Sequence, residues 1–136
     1  MNLFDNWFEQ LINQTSSKWV KDVEVKGLCK RISGPKAFYA EVSLSFSPSN
    51  SFEIKNLLDS SIAKRAIEEN WINSIIYGAI DVFLVYPPRP IKNFRLTIHE
   101  IKYNEIDSVP FAFRLASRDA AIKALKIHFP KMDLVN

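Results

Sequence analysis

A chain of 136 residues with 47% hydrophobic and 12% aromatic content is one domain's worth, long enough for a real core, and its composition excludes disorder. A net charge of +3 permits a polyanionic partner without demanding one. The single cysteine, Cys29, excludes an internal disulfide framework, and no apolar run reaches the length of a membrane span, so the expectation is a soluble cytoplasmic protein with no membrane contact. Residues 2–14 place Phe4, Trp7, Phe8, Leu11 and Ile12 at helical spacing, an amphipathic N-terminal helix that either packs on the following domain or docks a partner. Its acidic, aromatic character does not resemble a signal peptide. A polar linker, Asn13–Ser17, follows. Trp19 to Ile32 reads as a strand with imperfect alternation, and Gly27 within it suggests a bulge or bend. Ser33–Lys36 is a turn by composition, and Phe38–Phe46 alternates well, so the two strands make a hairpin. Phe52–Leu58 is a short third strand.

Asp59-Ser-Ser61 is a helix start signal, and Ile62–Tyr77 follows as a helix, with Gly78 as its expected end. Ile80–Tyr86 is β-rich, and Pro87-Pro-Arg-Pro90 must turn or cross over. Phe94, Leu96 and Ile98 alternate with polar residues, then the phase slips after His99 to Ile101 and Tyr103, which predicts a bulged strand. Asp107 or Ser108 is the expected cap of a helix over Val109–Phe129, with Pro110 in its first turn. That helix is apolar on two sides, one of them rich in alanine, so it is a core element open to close approach. The order α, then β–β–β–α–β–β–α, predicts an α+β sandwich with helices on one face of a mostly antiparallel sheet.

Catalytic and metal chemistry find little support. His99, His128 and Cys29 lack ligand spacing, and no carboxylate cluster joins them. His99 reads as a partly exposed sheet residue. Cys29, on a strand, reads first as a small buried hydrophobe, with a cysteine–histidine pairing through the fold left open. Asp59, Glu68 and Glu69 cap or solvate a helix. Three glycines cannot write a phosphate-binding loop, so no nucleotide cofactor is expected. Lys30, Arg31 and Lys36 cluster at the first hairpin beside Phe38 and Tyr39, a pattern that meets phosphates and stacks on bases, or else a solvated turn. Arg114, Arg118, Lys123 and Lys126 read as a solvated helix face, with Asp119 available to pair Lys123.

Two stretches carry a family resemblance. Tyr103-Asn-Glu-Ile-Asp-Ser108, followed by Ala112-Phe113 and Ala116, resembles the Tyr-His-Asp-Val-Asp-Ser-Ser segment of elongation factor G domain IV. Arg31-Ile-Ser33-Gly34-Pro-Lys36-Ala-Phe-Tyr39-Ala-Glu-Val42 resembles that family's Arg-x-Ser-Gly-Gly-Arg-Gly-x-Tyr-Gly-x-Val hairpin. The likeness covers roughly residues 19–128, and Ser60–Tyr77 is similar to the family's intervening helix. It implies a two-layer α+β sandwich of the ribosomal-protein domain 2-like type with a left-handed βαβ crossover, divided here into residues 1–18 (helix and linker) and 19–136 (domain). It also implies that the two stretches meet at a tip that enters the decoding region of the small ribosomal subunit. The departures are Asn104 for the family's histidine, Pro35 and Ala37 for hairpin glycines, and a longer Gly78–Pro90 segment without the family's Gly-Tyr-Pro.

Two functions follow as expectations. The preferred one is a non-catalytic module that binds the small ribosomal subunit or a structured RNA through Lys30, Arg31, Ser33, Gly34, Lys36, Tyr39, Asn104, Glu105, Asp107 and Ser108, with no cofactor or metal. The alternative is a protein-interaction domain that keeps the scaffold and docks a partner or a second copy through Phe4, Trp7 and Phe8 or the Gly78–Pro90 segment.

Overall fold

The computed structural model describes residues 18–87 and 90–130. The N-terminal helix expected over residues 2–14, with Phe4, Trp7 and Phe8, lies outside them. Four strands, β1 (Val23–Ser33), β2 (Lys36–Pro48), β3 (Glu53–Asn56) and β4 (Phe94–Lys102), form one sheet in the order β1-β2-β4-β3. Three helices, α1 (Ser60–Glu68), α2 (Trp71–Val85) and α3 (Pro110–His128), complete the mixed α+β fold. β1 and β2 form the expected hairpin, and β2 pairs antiparallel with β4. β3 lies parallel to β4, so the chain crosses between them through α1 and α2 as a βαβ unit.

The alternation of β1 turns Val23, Val25, Gly27 and Cys29 toward the helices. The irregularity in its sequence comes from Gly27, which occupies an inward position, while Leu28 points outward. Gly27 lies opposite Val42 in unbroken register, so it marks no bulge. Its role is steric: a Cβ there would overlap the carbonyl oxygen of Ala116. The bulge expected after His99 is present, since Ser43 faces Glu100 and Leu44 faces Ile98, leaving His99 as the extra residue against Ser45. It lets both Ile98 and Ile101 point into the core.

The helical region corrects three expectations. Asp59 does cap α1, accepting from the Ile62 N–H at 3.1 Å, and these donors hold its carboxyl below the usual range. The single helix expected over Ile62–Tyr77 is instead broken at Asn70, which takes a left-handed backbone (φ 64°) that asparagine tolerates. The chain then restarts and runs straight through Gly78, so the Ile80–Tyr86 stretch is helix rather than strand. The seven buried residues of α2 recur at helical spacing along one face, but Tyr77, Leu84 and Val85 make the outer face apolar as well, so the sequence lacks the polar contrast that would identify an amphipathic helix. Third, the α3 cap is Val109, with no side-chain bond; Ser108 and Asp107 are used elsewhere, and Pro110 stands at the helix start as expected.

Two aromatic groups fill the ends of the core. At the base, Phe83 of α2 reaches Phe46 and Phe94 of the sheet at ring centroids 4.9 and 4.6 Å apart. Burial of each such ring contributes roughly 1.5–3 kcal/mol. Trp19 closes this end, donating from Nε1 to the Phe46 carbonyl at 3.0 Å and stacking on His128 at 4.0 Å. Toward the hairpin end, Trp71 stacks on Phe113 at 4.7 Å and meets Tyr103 at 5.1 Å.

Gly78, like Gly27, abuts α3: a Cβ would overlap the Arg114 carbonyl oxygen. In a free helix, glycine to alanine stabilises by about 1 kcal/mol. Gly78→Ala is expected to destabilise instead, by about 1–3 kcal/mol as an overpacked contact, read from urea unfolding midpoints.

His128 gives a pH signature. Its Nε2 accepts from the Val20 N–H at 2.9 Å, and burial, with Lys21 nearby, lowers the ring's proton affinity. The unfolded ring then binds a proton that the native one refuses. Stability is therefore complete above the unfolded value near pH 6.5 and falls as pH drops from there toward the lowered native value. In His128→Gln, whose carbonyl can replace the acceptor, unfolding midpoints between about pH 7.5 and 5 should vary less than in the native chain.

Candidate nucleic-acid interface

The register that sets Ser33 opposite Lys36 leaves Gly34 and Pro35 as a two-residue loop, with Gly34 supplying positive φ (61°) at its first position. Beside it lies the loop from Tyr103 to Val109, which folds around one side chain. Asn104 Oδ1 accepts from the backbone N–H groups of Ile106 and Asp107 at 3.2 and 2.6 Å, the local turn that short amide side chains favour. The Asn104 N–H donates to Ser108 Oγ at 2.9 Å, and that hydroxyl donates onward to the Tyr39 carbonyl at 2.7 Å. Tyr39 N–H in turn donates to the Asp107 carbonyl at 3.0 Å. Both backbone groups of Tyr39 are thus spent on a loop far away in the chain, and the hairpin and loop form one tip.

Glu105 leaves the tip surface for the helices. Its two carboxylate oxygens receive both terminal nitrogens of Arg65 at 2.7 Å each, and that guanidinium lies 4.9 Å from the Tyr103 ring centre and 5.4 Å from that of Trp71. The pairing holds the Glu105 carboxyl below its ordinary range and raises Arg65. As an exposed pair its value lies in geometry: a bidentate fork orients the loop. Ile106 of this loop is 88% exposed, and Ile32, at the end of β1, 83%.

The expected site residues thus separate into two places. Ser33, Gly34 and Lys36 occupy the hairpin end, and Tyr39, Asn104, Asp107 and Ser108 bind the two loops together. Lys30 and Arg31 join a different set, lining a groove with Arg118, Lys123 and Lys126 of α3. The edge of β1 is closed there by α3 side chains: Asp119 accepts from the Leu28 N–H and Lys123 donates to the Lys26 carbonyl, each at 3.0 Å. The expected Asp119–Lys123 pair is present, also at 3.0 Å. Sequence reasoning missed Arg65, Ile106 and the union of α3 with β1. Arg118, Ile122 and Lys126 at helical spacing were the available signal, but the facing strand cannot be read from spacing. Cys29 is buried, and burial raises its thiol's proton affinity, as suits a packed hydrophobe. Among the described residues, no three histidine, cysteine or carboxylate side chains gather to hold a metal, and no helix is long and apolar enough to cross a membrane.

Comparison with known proteins returns one family model, elongation factor G, domain IV, which matches residues 13–127. Among solved structures, a crystal structure of a Thermus thermophilus protein superposes with a TM-score of 0.65 at 23% identity, over 76% of this chain. The match spans only 15% of that protein's length, so the likeness is one of fold.

Removing the hydroxyl that joins the loops tests the tip's construction. Ser108→Ala should cost about 1–2 kcal/mol, because it strands the Tyr39 carbonyl and the Asn104 N–H. Amide exchange should accelerate at Tyr39 and Asp107 and stay unchanged at Leu44 in the centre of β2.

Proposed function

The chain belongs to the elongation factor G domain IV family and is a translation-related module, and on that premise we propose that it binds the small ribosomal subunit, or a structured RNA like it, through the tip. The observation that carries this reading is the double hydrogen bonding of Tyr39 to the Asn104–Ser108 loop. It joins the two resembling segments into one protruding end whose backbone polar groups are largely used internally. What that end offers outward is Lys36, the Gly34-Pro35 turn and the apolar side chains of Ile32 and Ile106. Lysine supplies the phosphate contact, and the isoleucines supply surface for sugars and base edges. Nothing in this role requires bond-making chemistry by the chain, and its setting would be the cytoplasm, where ribosomes work.

A second reading, a protein partner or second copy held on the scaffold, draws on α2. Its outer side leaves Tyr77, Leu84 and Val85 exposed, the last by 74%, and these lie in or beside the segment expected to dock a partner.

Co-sedimentation with ribosomes and separated subunits, across a salt series, decides between them. The native chain should pellet saturably with the small subunit, and Lys36→Ala/Ile106→Asp should weaken it several-fold, with the salt slope reduced by about 0.7–0.9 for one lost phosphate contact. Absence of pelleting at low salt would overturn the tip reading, and self-association in sedimentation velocity, abolished by Leu84→Glu, would then carry the second.

A further inference from the structure

We infer that the groove between β1 and α3 is a second nucleic-acid site, one that holds the backbone of a single-stranded RNA segment. The inference rests on the proposed function only for the choice of RNA over DNA; the groove itself is argued from its own residues. It is an open surface groove of about 500 Å³. Five of its lining side chains are basic and one, Asp119, is acidic. That carboxylate is already engaged by the Leu28 N–H and by Lys123. Arg118 has only a 3.6 Å approach to Asp81, which Arg114 holds more closely at 2.6 Å. Lys30, Arg31 and Lys126 have no ion-pair or hydrogen-bond partner among the described residues.

Cations gathered on both walls of one groove repel each other, a cost that a polyanion lying between them would remove. The arrangement is linear rather than point-like. Arg118, Ile122 and Lys126 are spaced four residues apart on α3, so the basic wall runs about 12 Å along the helix. An extended single strand spaces its phosphates more widely than a duplex does (about 3.4 Å of rise per strand), so that length accommodates two or three phosphates, more than a lone phosphate or nucleotide would need. The remaining lining suits the other parts of a strand. Leu115 and Ile122 offer an apolar floor, and Tyr86, whose hydroxyl accepts from Arg118 at 3.3 Å, presents an aromatic ring to a base. An acidic peptide would use the charge but not the ring. At its upper end the groove is contiguous with the tip, because Arg31 precedes Gly34 by three strand residues, about 10 Å.

The test is fluorescence anisotropy of a labelled oligouridine of about 12 nucleotides with the full chain, from about 50 to 200 mM salt. Binding should weaken with a log–log salt slope of about −1.5 to −2, as two or three phosphate contacts on a single strand require. Arg31→Glu/Lys126→Glu should reduce affinity at least tenfold, and Lys30→Glu alone several-fold, with unfolding midpoints unchanged because these side chains are exposed and hold nothing in the fold. Lys36→Ala/Ile106→Asp should leave oligouridine binding within twofold. Oligouridine binding lost in the tip variant but kept in the groove variants would overturn the groove while sparing the tip. No oligouridine binding at the lowest salt, or competition by polyglutamate at equal charge concentration, would also overturn it. Groove-dependent binding by a chain that fails to pellet with ribosomes would sink the proposed function and leave this inference standing.

Discussion

Everything in this fold follows from how closely α3 approaches its neighbours. Between Phe113 and Leu125 near its two ends, its buried side is made of small residues, Ala116, Ser117, Ala120, Ala121 and Ala124, all without solvent exposure. On one flank Gly27 of β1 admits the helix backbone, and on the other Gly78 of α2 does the same. Ser117 then reaches the Ile75 carbonyl at 2.5 Å, a buried bond that a larger spacing would break. Two of the chain's three glycines therefore serve one helix, and the alternative to glycine at either place is displacement of backbone. Small side chains give up hydrophobic area, but they gain contact over the whole length of the helix, and interiors reward density.

That closeness also decides the surface. With α3 drawn against β1, Asp119 and Lys123 fall within reach of the strand's outward backbone groups and close an edge that would otherwise invite another strand. The same approach sets Lys30 and Arg31 of β1 and Arg118, Lys123 and Lys126 of α3 along one groove, so the basic groove is a product of helix packing. At the other end of α3 the arrangement differs. The loop before Pro110 is held by Asn104, Ser108 and the Arg65–Glu105 fork, each tied to a separate element: loop, hairpin and α1. The tip is held together by hydrogen bonds, the groove by packing.

This division explains what could be read from sequence and what could not. The hairpin, the bulge at His99, the Asp59 cap, the proline at the start of α3 and the depth of that helix are local patterns, and local patterns survive in sequence. The strand wrongly expected over Ile80–Tyr86 failed because α2 is apolar on its exposed face as well as its buried one, which hides the helical period, and because Gly78 resembles a stop signal when it is a contact. Gly27 misled for the same reason. Both glycines answer to a partner far along the chain, which no local window contains. Lys30 and Arg31 stand out in sequence as part of a basic cluster at the hairpin, but that they also line a groove with α3 depends on strand and helix meeting in space, which no local window contains. Ile106 and Arg65 carried no pattern at all.

The charge distribution completes the argument. A net +3 over 136 residues is too small a surplus to steer a whole domain toward a polyanion. Local balance is the relevant quantity, and it differs across the molecule. The open face of the sheet mixes signs: Lys102 stands 3.9 Å from Glu41, Arg95 2.9 Å from Glu53, and the shallow hollow between β1, β2 and β4 is lined by two lysines and two glutamates. Arg65 and Arg114 are each held by a carboxylate at 2.7 and 2.6 Å. The wall shared by β1 and α3 has five cations to one carboxylate, and that carboxylate is committed to the strand edge. Field lines from such a set converge in the groove because the protein on either side is a poor dielectric. A weakly basic chain thereby concentrates its attraction for phosphate along one side of the domain, directly below the tip.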